Sequence, residues 1–246
     1  MSPTPEGIKN QATAGKAPFA ALVLFLFLSL ALLLVWLMLL PSMNQKNMLD
    51  LFNRHADTAA TGVSADVYPR LAEAVSGFLA GFRPTAQMEV EASEGLRAAF
   101  SEQERIHLQD VKALVDLTRN LLYASCTLLL LTVLLLLRGF LSNRRPFTPF
   151  LIKGLRYAGG VLVLFVMAAG VWGILDFNGA FTFLHRLAFR NELWLLDPRQ
   201  DLLIQLMPQP FFEEYALRGL KNIGWALAGL VILILGMNLA DRLRKR

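Results

Sequence analysis

The chain contains three histidines, His55, His107 and His185, and a single cysteine, Cys126. Histidine is the side chain best suited to take up and release protons near neutral pH, so proton-transfer chemistry falls first to these three. Other chemistries lack their residues. No Gly-x-Ser-x-Gly elbow presents a serine, and no His-Glu-x-x-His or paired-cysteine spacing offers a metal site. Cys126 lies in an apolar run, where burial raises a thiol pKa, so a packed small hydrophobe is expected there rather than a nucleophile. One cysteine also allows no internal disulfide. A serine or cysteine acyl-enzyme is therefore not expected, and no cofactor or metal is called for.

His107 lies in the run IHLQDVK, with Asp110 three residues later on the same helical face, placed to orient the ring through one nitrogen. Val111 and Leu114 share that face, so a packed core histidine is the competing reading. His185 lies in FLHRLAF, just beyond an apolar run, where an interfacial aromatic anchor is the alternative. His55, among Asn53, Arg54 and Asp57, reads as a solvated surface residue. The spacing gives no support to a metal held by His107, His185 and a carboxylate.

The elements that must position these histidines are membrane spans and the segments between them. Hydrophobic residues make up 55% of the chain and charged ones 17%, unevenly placed. Four stretches reach the ~20 apolar residues that a helix needs to cross a bilayer: 18–40, 121–141, 157–176 and 222–240. The first is longer than a signal-peptide core and lacks a small-x-small cleavage site after Pro41, so a retained anchor is expected. Lysine and arginine in short loops set the orientation. Arg138, Arg144, Arg145, Lys153 and Arg156 surround the loop between spans two and three without an acid, and Arg242, Arg244, Lys245 and Arg246 crowd the tail. These, with Lys9 and Lys16, are assigned to the cytoplasm. The acid-rich segment 41–120 and the segment 177–221 then lie outside.

The expected fold is an all-α integral membrane protein, four transmembrane helices with a mostly helical extracytoplasmic cap, N-in/C-in. Its parts are a cytoplasmic tail (1–17), the cap (41–120), a basic cytoplasmic loop (142–156), an aromatic-rich interfacial segment (177–221) and a second tail (241–246). No charged residue or histidine interrupts the interior of any span, which argues against an ion-coupled transporter or selective channel. The net charge of +5 is spread over loops and tail, so it reads as a topology signal and not as a nucleic-acid surface. Gly154, Gly159, Gly160, Gly170 and Gly173 along the third span are expected to allow close helix packing.

Within the cap, Val67–Gly81 is expected to be helical, with Asp66 as its cap and Gly81 closing it. A second helix starts at Ser101, where Ser101 and Glu104 have capping-box spacing. If that helix ran straight into the second span, His107 would stand ~20 Å along the axis from Leu121, so a bend or break is predicted near Thr118–Asn120. The segment 177–221 carries Phe177, Phe181, Phe183, Phe189, Trp194, Phe211, Phe212 and Tyr215, and its three prolines forbid a single helix. An interfacial lid and the wall of an acyl-chain pocket are both compatible with it.

The stretches EQERIHLQDVKAL (102–114) and FLHRLAFRNELWLLDPRQDLLIQLMPQPFF (183–212), together with VYPRLAEAVSGFLAG (67–81) and the four-span layout, resemble the bacterial lipoprotein intramolecular transacylase family. The resemblance runs from about 67 to 240 and is most specific from His185 to Phe212. It implies an enzyme of the bacterial cytoplasmic membrane, with its site on the outer face. The implied substrate is a lipoprotein whose N-terminal cysteine carries a diacylglyceryl thioether. The sn-2 acyl chain moves to the α-amino group of that cysteine, leaving a lyso-form lipoprotein. The family's two histidines fall on His107 and His185. Asp110, Lys112, Phe183, Arg186, Phe189, Asn191, Trp194, Asp197 and Asp201 form the expected supporting and pocket-lining set, with Arg186 and Arg190 meeting lipid phosphates. The implied partners are the diacylglyceryl lipoprotein and membrane lipids. A non-catalytic scaffold or lipid-binding protein with the same cap is the principal alternative; an acyl transporter and a metal-dependent hydrolase are others.

Overall fold

A computed structural model of the 246-residue chain describes residues 16–92, 95–142 and 147–244. Arg144, Arg145, Lys245, Arg246 and most of the expected N-terminal tail lie outside the described residues. In chain order the elements are α1 (Lys16–Leu39), α2 (Gln45–His55), α3 (Thr58–Thr61), α4 (Tyr68–Ala80), β1 (Glu89–Ala92), β2 (Gly95–Ala98), α5 (Glu102–Ser142), α6 (Phe147–Leu175), α7 (Phe177–Ala188), α8 (Leu202–Leu206) and α9 (Gln209–Arg244). The chain divides into two compact units: residues 1–34, 120–170 and 224–246, and residues 35–119 and 171–223.

The first unit holds the apolar stretches of α1, α5, α6 and α9. All four helices are long and apolar enough to cross a membrane, with windows of mean hydropathy from 2.1 to 3.0, yet no more than 22% of any window is buried. Leu130, Leu135, Leu164, Phe165 and Ile232 face outward. Side chains so apolar and so uncovered require a surrounding solvent that is itself apolar, as a bilayer core is. Inside the unit, Leu22, Leu26, Leu155 and Ala158 form a buried cluster. Gly154 lies against Leu22 and Leu26, where an added Cβ would come within 3.3 Å, and Gly159 lies against Leu230. Gly160, Gly170 and Gly173 meet nothing within 4 Å, so only two of the five glycines act as close-packing positions. Cys126 is also not packed as expected: it is exposed on its helix, because in a span the surrounding lipid supplies the apolar environment that a core would supply in water.

α5 contains 41 residues, about 60 Å at 1.5 Å per residue, twice the ~30 Å of a hydrocarbon core. Glu102, Glu104, Arg105, Asp110, Lys112, Asp116 and Arg119 all fall in its first half, and residues 120–137 carry no charge. The predicted break near Thr118–Asn120 is absent, for the helix is continuous there. No glycine or proline lies near residues 118–120, and the Thr118 hydroxyl donates to Leu114 O at 2.8 Å within the same helix.

The second unit has its own core, built from Met48, Leu51, Phe52, Tyr68, Leu71, Val75, Phe78, Phe100, Leu108, Leu202, Leu206 and Phe211. Full burial of each large apolar side chain contributes roughly 1.5–3 kcal/mol. α4 begins one residue later than expected, after a 3-10 turn, and no side chain caps it. Asp66 is thus not the cap; Pro69, whose missing N–H costs nothing in the first helical turn, starts the helix instead. Gly81 closes it at φ 87°, a backbone region that side chains disfavour. A two-stranded antiparallel hairpin, β1 with β2, pairs Val90 with Arg97 and adds a strand element to the otherwise helical segment. α2 is fastened to α9 by charge: Arg218 pairs with Asp50 and Glu214, and His55 Nε2 lies 2.7 Å from Glu214. His55 is therefore a half-buried ion-network residue and not the solvated one its neighbours suggest.

Candidate functional site

The site is assembled entirely from the second unit. α7 starts at Asp176, whose carboxylate accepts from Gly179 N at 2.8 Å and caps the helix. Two turns on, His185 is held by its own helix: Nδ1 lies 2.8 Å from Phe181 O. A carbonyl oxygen only accepts, so Nδ1 carries the proton and the neutral ring has a free lone pair on Nε2. The Phe181 ring, one helical turn back, lies 4.0 Å from the imidazole centroid. Trp194 covers it at 5.0 Å and Phe189 at 5.7 Å.

His107, on α5, is buried, and its ring centroid lies 6.2 Å from that of His185, with Phe189 at 5.3 Å. The two histidines are 78 residues apart in the chain. No hydrogen bond joins the rings, and Nδ1 of His107 is buried without a partner. Burial, then the charge His185 would carry, pushes His107 down to about 4, against a smaller pull upward from Asp110. Burial also lowers His185, in part offset by its bond to Phe181 O. Both rings are thus neutral at pH 7, and an aromatic wall of Phe181, Phe189 and Trp194 surrounds them.

Asp110 does not hold His107 through a hydrogen bond, as its spacing led one to expect. Its carboxylate instead accepts from Asn191 Nδ2 at 2.8 Å, and Asn191 Oδ1 accepts from Leu193 N at 3.1 Å. The i+3 spacing puts Asp110 on the right face, but a donor arriving from the 190–201 loop, the Asn191 amide, takes the carboxylate. Asn191→Ala should loosen this loop and destabilise the protein by roughly 1 kcal/mol, the loss of about one such hydrogen bond, measured by thermal unfolding.

The same loop is tied to α5 at three more places. Gln103 Nε2 donates to Leu193 O and Leu195 O at 3.3 and 3.1 Å. Glu104 accepts from Ser101 N at 2.6 Å, completing the capping box, while Ser101 Oγ accepts from Glu104 N at 3.3 Å. The second oxygen of Glu104 accepts from Leu203 N at 2.5 Å, in the first turn of α8. Ser101 Oγ also donates to Asp201. This buried carboxylate, raised in pKa by its burial, caps two helices at once. Asp201 accepts from Asp197 N at 2.7 Å, and Asp197 accepts from Arg199, so both aspartates shape the loop and neither touches the histidines.

Two other expected site residues lie elsewhere. Lys112 pairs with Asp116 at 2.9 Å and sits over Phe78. Phe183 is half exposed and packs on Trp172, because it and His185 occupy different sides of α7. Arg186 and Arg190 are exposed and form no ion pair among the described residues. Three residues that the sequence reading did not single out as site residues matter here: Phe181, Gln103 and Glu104. Phe181 had a legible signal, being one helical turn before His185; the second grip of Glu104 on Leu203 had none. Among the described residues, no three histidine, cysteine or acidic side chains gather to hold a metal.

A family model described as the lipoprotein intramolecular transacylase Lit matches residues 22–212. The chain belongs to the Lit family. Three solved structures share its fold, all of the membrane integral lipoprotein intramolecular transacylase Lit from Bacillus cereus. One, at 17% identity, covers 94% of this chain and 99% of that one with a TM-score of 0.70. A histidine-to-arginine variant, at 18% identity, covers 97% and 99% with a TM-score of 0.68. A histidine-to-alanine variant, at 17% identity, covers 96% and 99% with a TM-score of 0.67. No match is found among curated proteins. The chain is thus a multi-pass membrane protein of a transacylase family, with the expected four spans and a mostly helical fold.

Proposed function

We propose that this Lit-family protein moves the sn-2 acyl chain of a diacylglyceryl-cysteine lipoprotein to the α-amino group of that cysteine, with His107 and His185 as its catalytic residues. The observation that carries the reading is the convergence of two neutral imidazoles, His107 buried and His185 partly buried with a free Nε2, beside an aromatic wall. Amine attack on the ester carbonyl closes a ring of about eight atoms through the thioether, an unfavourable closure that a confining site offsets by holding both ends. His185 Nε2 takes the proton from the attacking amine. The carbonyl oxygen becomes an oxyanion, stabilised by a donor on His107. Collapse breaks the ester C–O bond, and the departing sn-2 alkoxide receives the proton from His185. An amide and a free hydroxyl result, with no acyl-enzyme.

In this reading the basic loop and both termini lie in the cytoplasm and segments 41–120 and 177–221 lie outside the bacterial cytoplasmic membrane, supported by the lysine and arginine bias of the short loops. The outward apolar side of α7, Phe183, Leu184 and Leu187, offers a path for acyl chains, and Arg186 and Arg190 are placed to meet phosphates.

The test is mass spectrometry of the N-terminal peptide of a diacylglyceryl lipopeptide incubated with the purified protein. A product of unchanged mass, with one acyl group shifted from glyceryl to nitrogen, supports the reading. Unaltered substrate, bound but not converted, leaves a lipoprotein-binding scaffold.

The pH profile follows from the protonation states. A free α-amino group titrates near 7.7–8.0, whereas His107 is already neutral above about 4. Turnover should therefore rise with pH up to about 8 as the amine deprotonates, with no separate histidine limb near the ordinary value of 6.5. Stability has the same sign. The unfolded His107 binds a proton that the folded one refuses, so stability is present above 6.5 and is lost as pH falls toward about 4.

A further inference from the structure

A cavity of about 510 Å³ opens in the first unit, lined by Pro149, Ile152, Lys153, Arg156, Tyr157 and Asn238. Arg156 is fixed there: its guanidinium donates to Asn238 Oδ1 at 2.9 Å, and Asn238 Nδ2 in turn donates to Ile234 O at 2.7 Å. Guanidinium donors remain to spare. Lys153 lies over the Phe19 ring at 5.5 Å, and Phe19 packs edge-on against Tyr157 at 6.2 Å. Neither cation forms an ion pair among the described residues. The stretch from Arg138 to Arg156 contains no acidic residue to compete for them.

We propose that this cavity binds the phosphodiester headgroup of an anionic phospholipid. Two cations and an aromatic hydroxyl at the end of membrane-crossing helices suit a phosphate at the bilayer surface. A free phosphate would use the same groups, but the surroundings favour a lipid. Tyr157, Val161 and Leu164 follow one another at helical spacing on α6, exposed by 57%, 55% and 69%. The headgroup site thus continues along the span as an uncovered apolar strip on which acyl chains lie.

The test uses the purified full chain in a non-ionic maltoside detergent. Native mass spectrometry of an equimolar mixture of phosphatidylglycerol and phosphatidylcholine should show the anionic lipid retained roughly tenfold over the zwitterionic one, about 1 kcal/mol per cation being available. In K153Q/R156Q the preference should fall to near parity, while the variant without added lipid unfolds at the wild-type temperature. Equal retention of the two lipids by the wild type overturns the proposal, without reference to any variant. So does an unchanged preference in the double variant. Thermal unfolding with inorganic phosphate alone should show no shift; a shift as large as that from phosphatidylglycerol makes this a soluble-anion site and overturns the lipid assignment.

Discussion

Alanine at His107 or at His185 is expected to lower acyl migration by about 10²–10⁴-fold, the range over which positioned acid–base groups act. The two losses should differ in kind. In the proposed mechanism His185 is the base, with Nδ1 committed to Phe181 O and Nε2 free. Glutamine there offers a donor and an acceptor but no basic nitrogen, so His185→Gln should be as inactive as His185→Ala. In the same proposed mechanism His107 acts as a hydrogen-bond donor to the oxyanion. Loss of one such donor costs about 10²–10³-fold in kcat, and His107→Gln, which keeps an N–H, should recover part of it. Neither alanine variant should unfold, since His107 Nδ1 has no partner to be orphaned by its removal and His185 gives up only its bond to Phe181 O. Initial rates of N-acyl product by mass spectrometry, beside thermal unfolding of each variant, decide the matter. Wild-type rates in both alanine variants would remove these residues from the mechanism; equal rates in the two glutamine variants would remove the division of roles.

The second large effect is structural and reaches the site from its edge. Glu104→Ala should destabilise the protein by roughly 2–4 kcal/mol, because hydrogen bonds to a charged group contribute about 1.5–3 kcal/mol each and their donors stay buried when the acceptor is removed. Leu203 N and Ser101 N both lose their acceptor. The cap of α5 and the start of α8 then loosen together, and the loop carrying Asn191 and Trp194 loosens with them. Activity should fall with stability and recover partly on cooling, unlike the histidine variants. Glu104→Gln retains one carbonyl oxygen but turns an amide toward the other N–H, so its unfolding temperature should lie between those of wild type and alanine. An alanine variant as stable as wild type would show that the carboxylate is no pin.

The boundary between what was readable and what was not follows the range of the interactions. The four spans, the absence of charge within them and the capping box at Ser101–Glu104 depend on residues within a few positions of one another. Hydropathy, helix capping and proline placement therefore announce them directly. The predicted break at 118–120 failed for the same reason in reverse. It was argued from the distance between His107 and the span, yet local backbone hydrogen bonding, with no glycine or proline nearby to interrupt it, carries α5 through residues 118–120 without a break. His55 was misjudged because its partner, Glu214, is 159 residues away.

The family resemblance marked His107 and His185 as a pair, but the residue pattern alone left each as a packed or anchoring histidine. By itself the sequence determined the membrane class, the number of crossings, the shortage of nucleophiles and the three histidines to which acid–base work could fall. Only the tertiary structure decided that two of them face one another at 6.2 Å, that Asp110 serves Asn191 and not His107, and that Phe181 assigns the tautomer of His185. The physical reason is that the 190–201 loop has no periodicity to read. Its course is set by hydrogen bonds to Gln103, Glu104 and Asp110, nearly a hundred residues earlier in the chain, and such bonds exist only once the second unit has closed around its core.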